Sequence, residues 1–238
     1  MKVLLGSKTD TDVLETIKLF IKFYKRNVEY CKESLSTIRL LIFSREKKIK
    51  DEVLSTFIQL HLNRSSDEVA SELVNLFQEA TSQDLSALEE ILEMILVRSH
   101  EESVVIIKPT VFAHLWNRFI DYERKETNTE SKRAIITIMR IGFSRDPLMI
   151  KEENMESFLN ILKKYISTGK QDFHILKEII KIIMLENKII QMSSRKFIIA
   201  AMYILVNSQG IIDNEWYSTS EHVLTCIYKI SENPEKLT

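Results

Sequence analysis

Apolar residues recur at intervals of three and four along almost the whole chain, and no other feature constrains the fold as strongly. This spacing places the apolar side chains on one face of an α-helix. The 238 residues contain only 4 Gly and 3 Pro, whereas a sheet with tight turns needs many more such residues. The sequence therefore predicts an all-α fold. The clearest stripes are Val13, Ile17, Phe20, Ile21 and Tyr24; Ile49, Val53, Phe57 and Leu60; Leu85, Leu88, Leu92, Ile95 and Leu96; and Val223, Ile227, Tyr228 and Ile230.

A ten-residue phrase occurs twice, as TIRLLIFSRE at 37–46 and as TIMRIGFSRD at 137–146. Each copy ends an apolar segment with a short charged turn, and a second amphipathic segment follows. A helix, a charged turn and a second helix form the unit of an α-solenoid, although chance similarity between the two copies is an alternative. We expect 1–238 to be a single α-solenoid domain, a right-handed superhelix of HEAT- or armadillo-like antiparallel helix pairs.

Local start and stop signals divide the chain into eleven predicted helices. Asp12 with Glu15, and Ser65 with Glu68, have the spacing of a capping box. Pro109 suits the first position of a helix, where its missing N–H has no partner to lose. The other signals are Asn128 or Thr129 and Ser193 or Ser194 as N-caps, and Gly142, Gly169 and Gly210 as stops. The predicted helices are 12–25, 28–43, 46–62, 66–79, 83–98, 109–123, 129–143, 153–166, 172–187, 193–207 and 215–231.

The residue types that usually carry catalysis are scattered. The five His share no spacing that would pair two of them on one helix for metal binding. The sequence has no glycine-rich phosphate-binding motif and no nucleophile elbow. We therefore expect a protein that is not an enzyme and that takes no cofactor, metal or small-molecule substrate. No apolar run reaches the length of a membrane span, and the wide separation of Cys31 from Cys226 favours a reducing intracellular compartment.

Charge is distributed unevenly, although the net charge is only −1. Residues 22–50 include nine basic and three acidic residues, whereas 67–102 include ten acids and one Arg. Solvated helix faces explain most such runs; the alternative is a basic surface for DNA and an acidic surface that faces protein or solvent. Charged turns of stacked repeats can align into a ridge along a phosphate backbone. The candidate DNA-binding residues are Arg45, Lys47, Lys48, Lys50, Lys132 and Arg133.

The stretch 4–23 contains the run TDVLE at 11–15 and an amphipathic helix, and the stretch 38–62 contains Phe43 and Ser44 in a short turn before the next helix. These two stretches, and a third near the end of the chain, resemble the HEAT-repeat regulatory subunits of condensin, the family of non-SMC subunit 1. In the repeat that 38–62 resembles, the family often has Trp-Ser at the place of Phe43 and Ser44. The stretch 215–235 resembles a later element. Its matching residues are Trp216, Glu221, Ile227, Tyr228, Glu232 and Pro234. Family members are several times longer, so we expect a fragment or a reduced member that covers a central to C-terminal block.

The resemblance implies a non-catalytic scaffold subunit that acts in mitotic chromosome condensation, in the nucleus and on chromosomes, with a further cytoplasmic pool. It also implies binding to a kleisin chain, assembly with SMC ATPase subunits, and contact with duplex DNA or chromatin. The residues by themselves also fit a generic α-solenoid adaptor of the transport or phosphatase-scaffold type. Since a solenoid offers a groove that a disordered segment can fill, we expect the kleisin to bind through apolar anchors.

Overall fold

A computed structural model describes residues 2–24, 26, 32–101, 105–149, 151–168, 172–185 and 214–230. Within these ranges the regular elements are eleven α-helices with short 3-10 and π segments, and no strand occurs. The all-α prediction is confirmed. The helices are α1 (Lys2–Leu5), α2 (Asp10–Tyr24), α3 (Lys32–Leu40), α4 (Lys47–Phe57), α5 (Ser66–Gln78), α6 (Ser82–Glu101), α7 (Pro109–Lys125), α8 (Thr129–Arg145), α9 (Glu152–Thr168), α10 (Phe173–Ile183) and α11 (Asn214–Ile230).

The chain divides into two compact units, residues 1–115 and residues 116–238. In each unit the helices pack against near neighbours in sequence, in the manner of an α-solenoid. The single domain over 1–238 and the right-handed superhelix stay predictions.

Unit 1 (residues 1–115) is organised by two helix pairs, because α2 packs against α4 and α3 packs against α6. The apolar stripes predicted from the sequence form its core. Ile17 and Phe20 on α2 are fully buried, and so are Leu88 and Ile95 on α6. Helix α4 continues without interruption into a π-helical segment, Ile58–Leu62.

Unit 2 (residues 116–238) is centred on α8 and α10, which pack against each other. Helix α10 also contacts α9 and α11. Eleven residues of α8 are buried, so this helix is covered on nearly all sides, as expected for a central element. Trp116 packs edge-on against Phe158, with ring centroids 5.2 Å apart.

Several helix boundaries follow the predicted signals. Ser65 and Glu68 form a complete capping box at the start of α5, and Pro109 is the first residue of α7. Asn128 occupies the N-cap position of α8 with a left-handed backbone (φ 52°), but its side chain makes no capping hydrogen bond.

Two of the predicted start and stop signals are wrong. Helix α2 begins at Asp10 rather than after Asp12, and the Asp12 carboxylate instead accepts a hydrogen bond from Ser7 Oγ at 3.0 Å. Gly142 does not end α8, which continues to Arg145. The predicted stops at Gly169 and Gly210 and the predicted helix 193–207 lie outside the described residues.

Apolar side chains are exposed on the first helices of unit 1 and on α11 of unit 2. Val3 is 89% exposed on α1. Helix α11 carries Tyr217, Leu224 and Tyr228 along one outward stripe, each more than half exposed. In solenoid proteins such faces are buried by a neighbouring repeat.

Candidate nucleic-acid and partner interfaces

The four predicted cations Arg45, Lys47, Lys48 and Lys50, here named the basic turn, lie where α3 gives way to α4 in unit 1. Residues Leu41–Phe43 form a 3-10 turn after α3, and α4 begins at Lys47. The Ser44 hydroxyl accepts a hydrogen bond from the backbone N–H of Glu46 at 3.2 Å. The connection is therefore short and internally hydrogen-bonded.

Buried residues anchor the basic turn on both sides. Ile42 precedes it with no exposed surface, and Ile49 lies within it at 4% exposure. Because these two side chains point into the core, Arg45, Lys47 and Lys48 are turned outward and exposed, while Lys50 is half-buried. Three of the four members of the basic turn are therefore open to solvent, and their role in DNA binding stays a prediction.

The start of α4 adds to the positive potential of the basic turn. A helix N-terminus carries a partial positive charge and usually attracts acidic side chains into its first turn. The first turn of α4 has none and instead carries Lys47 and Lys48; the acid in the N-cap position, Glu46, makes no side-chain capping bond. This arrangement favours an external anion such as a phosphate.

The other two predicted cations, Lys132 and Arg133, lie in unit 2 and are already matched by carboxylates. Lys132 is 8% exposed, and its Nζ lies 2.9 Å from Glu123 Oε1. Arg133 Nε donates to Asp172 Oδ2 at 2.9 Å. Burial lowers the pKa of Arg133, but the hydrogen bond that Arg133 donates to Asp172 and the charge of that carboxylate raise it by more. A role for either residue in DNA binding stays a prediction, and the basic turn offers the more available charge.

A buried carboxylate explains why Lys132 lies inside unit 2. Glu123 is 5% exposed, and it accepts a hydrogen bond from the Tyr165 hydroxyl at 2.9 Å. Burial, followed by the charge of Glu123, raises the pKa of Tyr165. A buried carboxylate needs a cation and hydrogen-bond donors, and Lys132 supplies the cation.

A second candidate site is an open cavity of about 940 Å³ in unit 1, here named the α2–α4 groove. Its walls come from α2, from α4 with the π segment Ile58–Leu62, and from the ends of the helices that follow. The apolar lining consists of Leu14, Ile58, Leu62 and Ile106; the polar and charged lining consists of Lys18, Lys48, Asp51, Glu52, Ser55, Gln59, Asn63 and Arg98.

The π segment shapes one wall of the α2–α4 groove. A π turn widens a helix locally and is common at functional sites. Here a buried polar contact supports the widened turn, since His61 is 2% exposed and its Nδ1 lies 2.9 Å from Glu72 Oε1. The bond from His61 lowers the pKa of Glu72, which Arg64 also approaches at 3.4 Å. The groove wall is therefore braced from behind by α5.

The lining of the α2–α4 groove suits an extended peptide. Ser55, Gln59 and Asn63 recur every four residues and can donate to or accept from a peptide backbone, while Leu14 and Ile58 offer apolar contact. Three of the charged lining residues are paired within unit 1, because Arg98 lies 4.0 Å from Asp51 and Lys18 lies 3.1 Å from Glu15. This groove was not predicted from the sequence, although the four-residue spacing of these polar residues was a usable signal.

The acidic block 67–102 includes one carboxylate that serves the interior rather than a partner or solvent. Asp84 is 7% exposed. It accepts hydrogen bonds from Ser36 Oγ at 2.6 Å and from Thr81 Oγ1 at 2.9 Å, and it lies 3.7 Å from Arg39. For Asp84 the predicted protein or solvent contact is therefore replaced by an internal one.

Within the part of the chain that the structure describes, no group of three or more His, Cys, Asp or Glu side chains is placed to hold a metal ion. In the same residues, no helix has both the length and the apolar character that crossing a bilayer requires.

The fold and the groove together define the chain as an α-helical repeat protein of the solenoid type. No protein-family model matches it. The chain is 22% identical over 245 residues to the condensin-1 complex subunit CAP-D2 of Arabidopsis thaliana, and this alignment covers 98% of the chain but 16% of the relative. The similarity is distant, and it points in the same direction as the condensin resemblance of the sequence motifs.

Proposed function

We propose that the chain is a non-catalytic scaffold of a condensin-type complex, acting in chromosome condensation in the nucleus and on mitotic chromosomes. The observation that carries this proposal is the alignment with a condensin subunit along 98% of the chain. The helical packing supports it, because stacked helices provide long surfaces for partners without a catalytic centre. The SMC ATPase subunits would then supply the chemistry of the complex.

The proposed partner is an extended segment of a kleisin chain, bound in the α2–α4 groove. A disordered segment can place apolar side chains against Leu14 and Ile58 while its backbone meets Ser55 and Gln59. The segment loses conformational entropy when it becomes ordered on binding, and its large contact area offsets that cost. Apolar contacts of this kind are barely screened by salt, so the complex should persist at high ionic strength.

The proposed second ligand is duplex DNA, held at the basic turn through its phosphates. Contacts between cations and phosphates position a protein on DNA without reading bases. Charge reversal at Lys47, Lys48 and Lys50 should therefore weaken binding for every duplex sequence alike and flatten its salt dependence. An unchanged affinity would exclude the basic turn as the contact.

A pull-down with the cognate kleisin at low and high salt tests the partner proposal. Ser55→Trp places an indole in the groove from an exposed position, so we expect loss of the kleisin with the fold intact. Asn75→Trp, at an exposed position on α5, is the matched control and should bind normally. Loss of the wild-type complex at high salt would indicate an electrostatic contact instead.

Co-purification from cells followed by partner identification separates the proposal from its alternative. Recovery of SMC and kleisin subunits supports the condensin scaffold. Recovery of transport cargo or phosphatase subunits, with binding still abolished by Ser55→Trp, would identify a generic α-solenoid adaptor that uses the same groove.

A further inference from the structure

Phe43 is exposed beside the basic turn, although its counterpart in the second copy of the repeated phrase is not. The side chain of Phe43 is 55% exposed, whereas Phe143 is 4% exposed. Leaving so much apolar area in water forgoes the stabilisation that burial gives. A single exposed aromatic residue is common on protein surfaces. Phe43 differs from most of them in the charged residues that surround it.

The surroundings of Phe43 are cationic and fixed. It ends the 3-10 turn Leu41–Phe43 and is followed by the exposed cations Arg45, Lys47 and Lys48. Ile42, next to it in sequence, is fully buried, and the Ser44 N–H donates to Leu41 O at 2.9 Å. The aromatic ring is therefore held on a short hydrogen-bonded turn next to the positive start of α4.

We propose that Phe43 is a stacking platform for an unpaired base of single-stranded nucleic acid, whose phosphates bind the basic turn. Aromatic side chains beside cations form the usual single-strand binding surface, because every base has a face that can stack. The basic turn favours this polyanion over an apolar protein segment. A duplex offers its bases only after unstacking, which costs free energy. The inference extends the nucleic-acid part of the proposed function to a second form of ligand.

Fluorescence anisotropy on the full chain tests the proposal. The probes are labelled oligothymidine and oligouridine of about 20 nucleotides and a duplex of the same length, since single-strand sites span about 4 to 16 nucleotides. Phe43→Ala should weaken single-strand binding by about 5- to 150-fold, the effect of losing one stacked base. Phe43→Trp should preserve it. The two single strands differ in the 2′-hydroxyl, so comparing them distinguishes DNA from RNA as the source.

The salt dependence separates stacking from charge. Phe43→Ala removes no charge, so the slope of log affinity against log salt should stay as in the wild type while the affinity falls. Lys47→Glu with Lys48→Glu should flatten that slope. Tyr217→Ala, which removes an exposed aromatic from unit 2, is the control and should change neither quantity.

Three outcomes would overturn the stacking proposal. Unchanged single-strand affinity in Phe43→Ala removes the platform. An equal loss on the duplex indicates a wedge between paired bases, and a loss of kleisin alone indicates a protein anchor. The wild-type chain could instead bind neither kleisin nor duplex DNA and still bind single strands through Phe43. That result would overturn the proposed function and leave this inference standing.

Discussion

The two copies of the repeated phrase adopt different structures. In the second copy, 137–146, helix α8 runs unbroken to Arg145 and Phe143 is buried. In the first copy, 37–46, helix α3 ends at Leu40, the chain tightens into a 3-10 turn, and Phe43 points outward. Two similar ten-residue sequences thus form the buried end of a helix in unit 2 and an exposed turn in unit 1. Packing outside the phrase decides between the two, because local preference is a weak term.

The two copies agree in one respect, which is an Arg that reaches a carboxylate on a neighbouring helix. Arg39 lies 3.7 Å from Asp84 on α6. Arg140 Nε donates to the carboxylate of Glu178 on α10. Lys181 Nζ lies 2.9 Å from Oε1 of the same carboxylate. The pair in unit 2 is the more deeply placed, since Glu178 is 3% exposed and Asp84 is 7% exposed. Each copy therefore ties its helix to another helix through an Arg, which is the third residue of the phrase in the first copy and the fourth in the second.

The largest expected effect contrasts the two Phe residues. Phe143→Ala should lower the free energy of unfolding by about 3–5 kcal/mol, because it opens a cavity in the core. Phe43→Ala should change it by no more than about 0.5 kcal/mol, as at other exposed sites. Urea unfolding followed by circular dichroism measures both. Equal losses would show that the two copies share one environment.

The next effect concerns the two carboxylates. Glu178→Ala should cost about 3 kcal/mol, because Arg140 and Lys181 lose a buried counter-charge. Asp84→Ala should cost less, about 1–2 kcal/mol, because it removes hydrogen bonds from Ser36 and Thr81 and a counter-charge that lies as far as 3.7 Å from Arg39.

A double variant, Arg140→Met with Glu178→Leu, is the control for this prediction. It removes both charges together and should recover much of the loss in unfolding free energy. If Asp84→Ala lowers the free energy of unfolding more than Glu178→Ala does, then the Arg39–Asp84 pair contributes more to stability than the Arg140–Glu178 pair, contrary to this prediction.

As the pH falls, His174 should reduce the stability of unit 2 before the carboxylate of Glu178 does. Burial lowers the pKa of His174, so its contribution to stability is complete above the unfolded value of about 6.5 and falls as the pH drops below it. The pKa of Glu178 is also lowered: burial opposes this, and the charges of Arg140 and Lys181 outweigh it. Its contribution is lost only below about pH 4.5.

Unfolding free energies measured between pH 8 and pH 3 should therefore fall in two stages, with the first beginning at about pH 6.5. His174→Gln should remove the first stage, because it deletes the titrating ring that lies 3.0 Å from Thr137 Oγ1. A first stage that persists in His174→Gln would assign it to another group.

The smallest expected effect has the opposite sign. Lys47→Glu and Lys48→Glu should each leave stability unchanged or raise it by about 0.3–1 kcal/mol, because acids suit the first turn of a helix. The same changes should weaken duplex binding. Lys163→Glu, at an exposed position on α9, is a control that lies outside a helix start. A clear loss of stability in Lys47→Glu would mean that the cation supports the fold rather than a ligand.

Signals that act within a few residues were predictable from the sequence. The capping box of Ser65 with Glu68 and the start at Pro109 depend only on the local chain. Gly142 was misread because a Gly costs a helix about 1 kcal/mol, and the buried side chains of Ile141 and Phe143 on either side outweigh that cost.

Features that depend on distant residues were not predictable. Lys132 has the sequence context of an exposed cation, yet its burial is set by Glu123 on the preceding helix. The α2–α4 groove joins residues that are far apart, such as Leu14 and Ile106. The exposure of the basic turn does follow from its local pattern, because the buried residues Ile42, before it, and Ile49, within it, are seven residues apart.

The π turn at Ile58–Leu62 has a genetic consequence. A helix with one π turn holds a single residue more than the α-helix that would otherwise fill its place. Deletion of one codon therefore converts the first into the second, and insertion of one codon converts the second into the first, while the flanking turns keep their neighbours. Substitutions at Ser55 or Gln59 change which groups the α2–α4 groove presents to a ligand. The number of codons in this segment determines the shape of the groove wall.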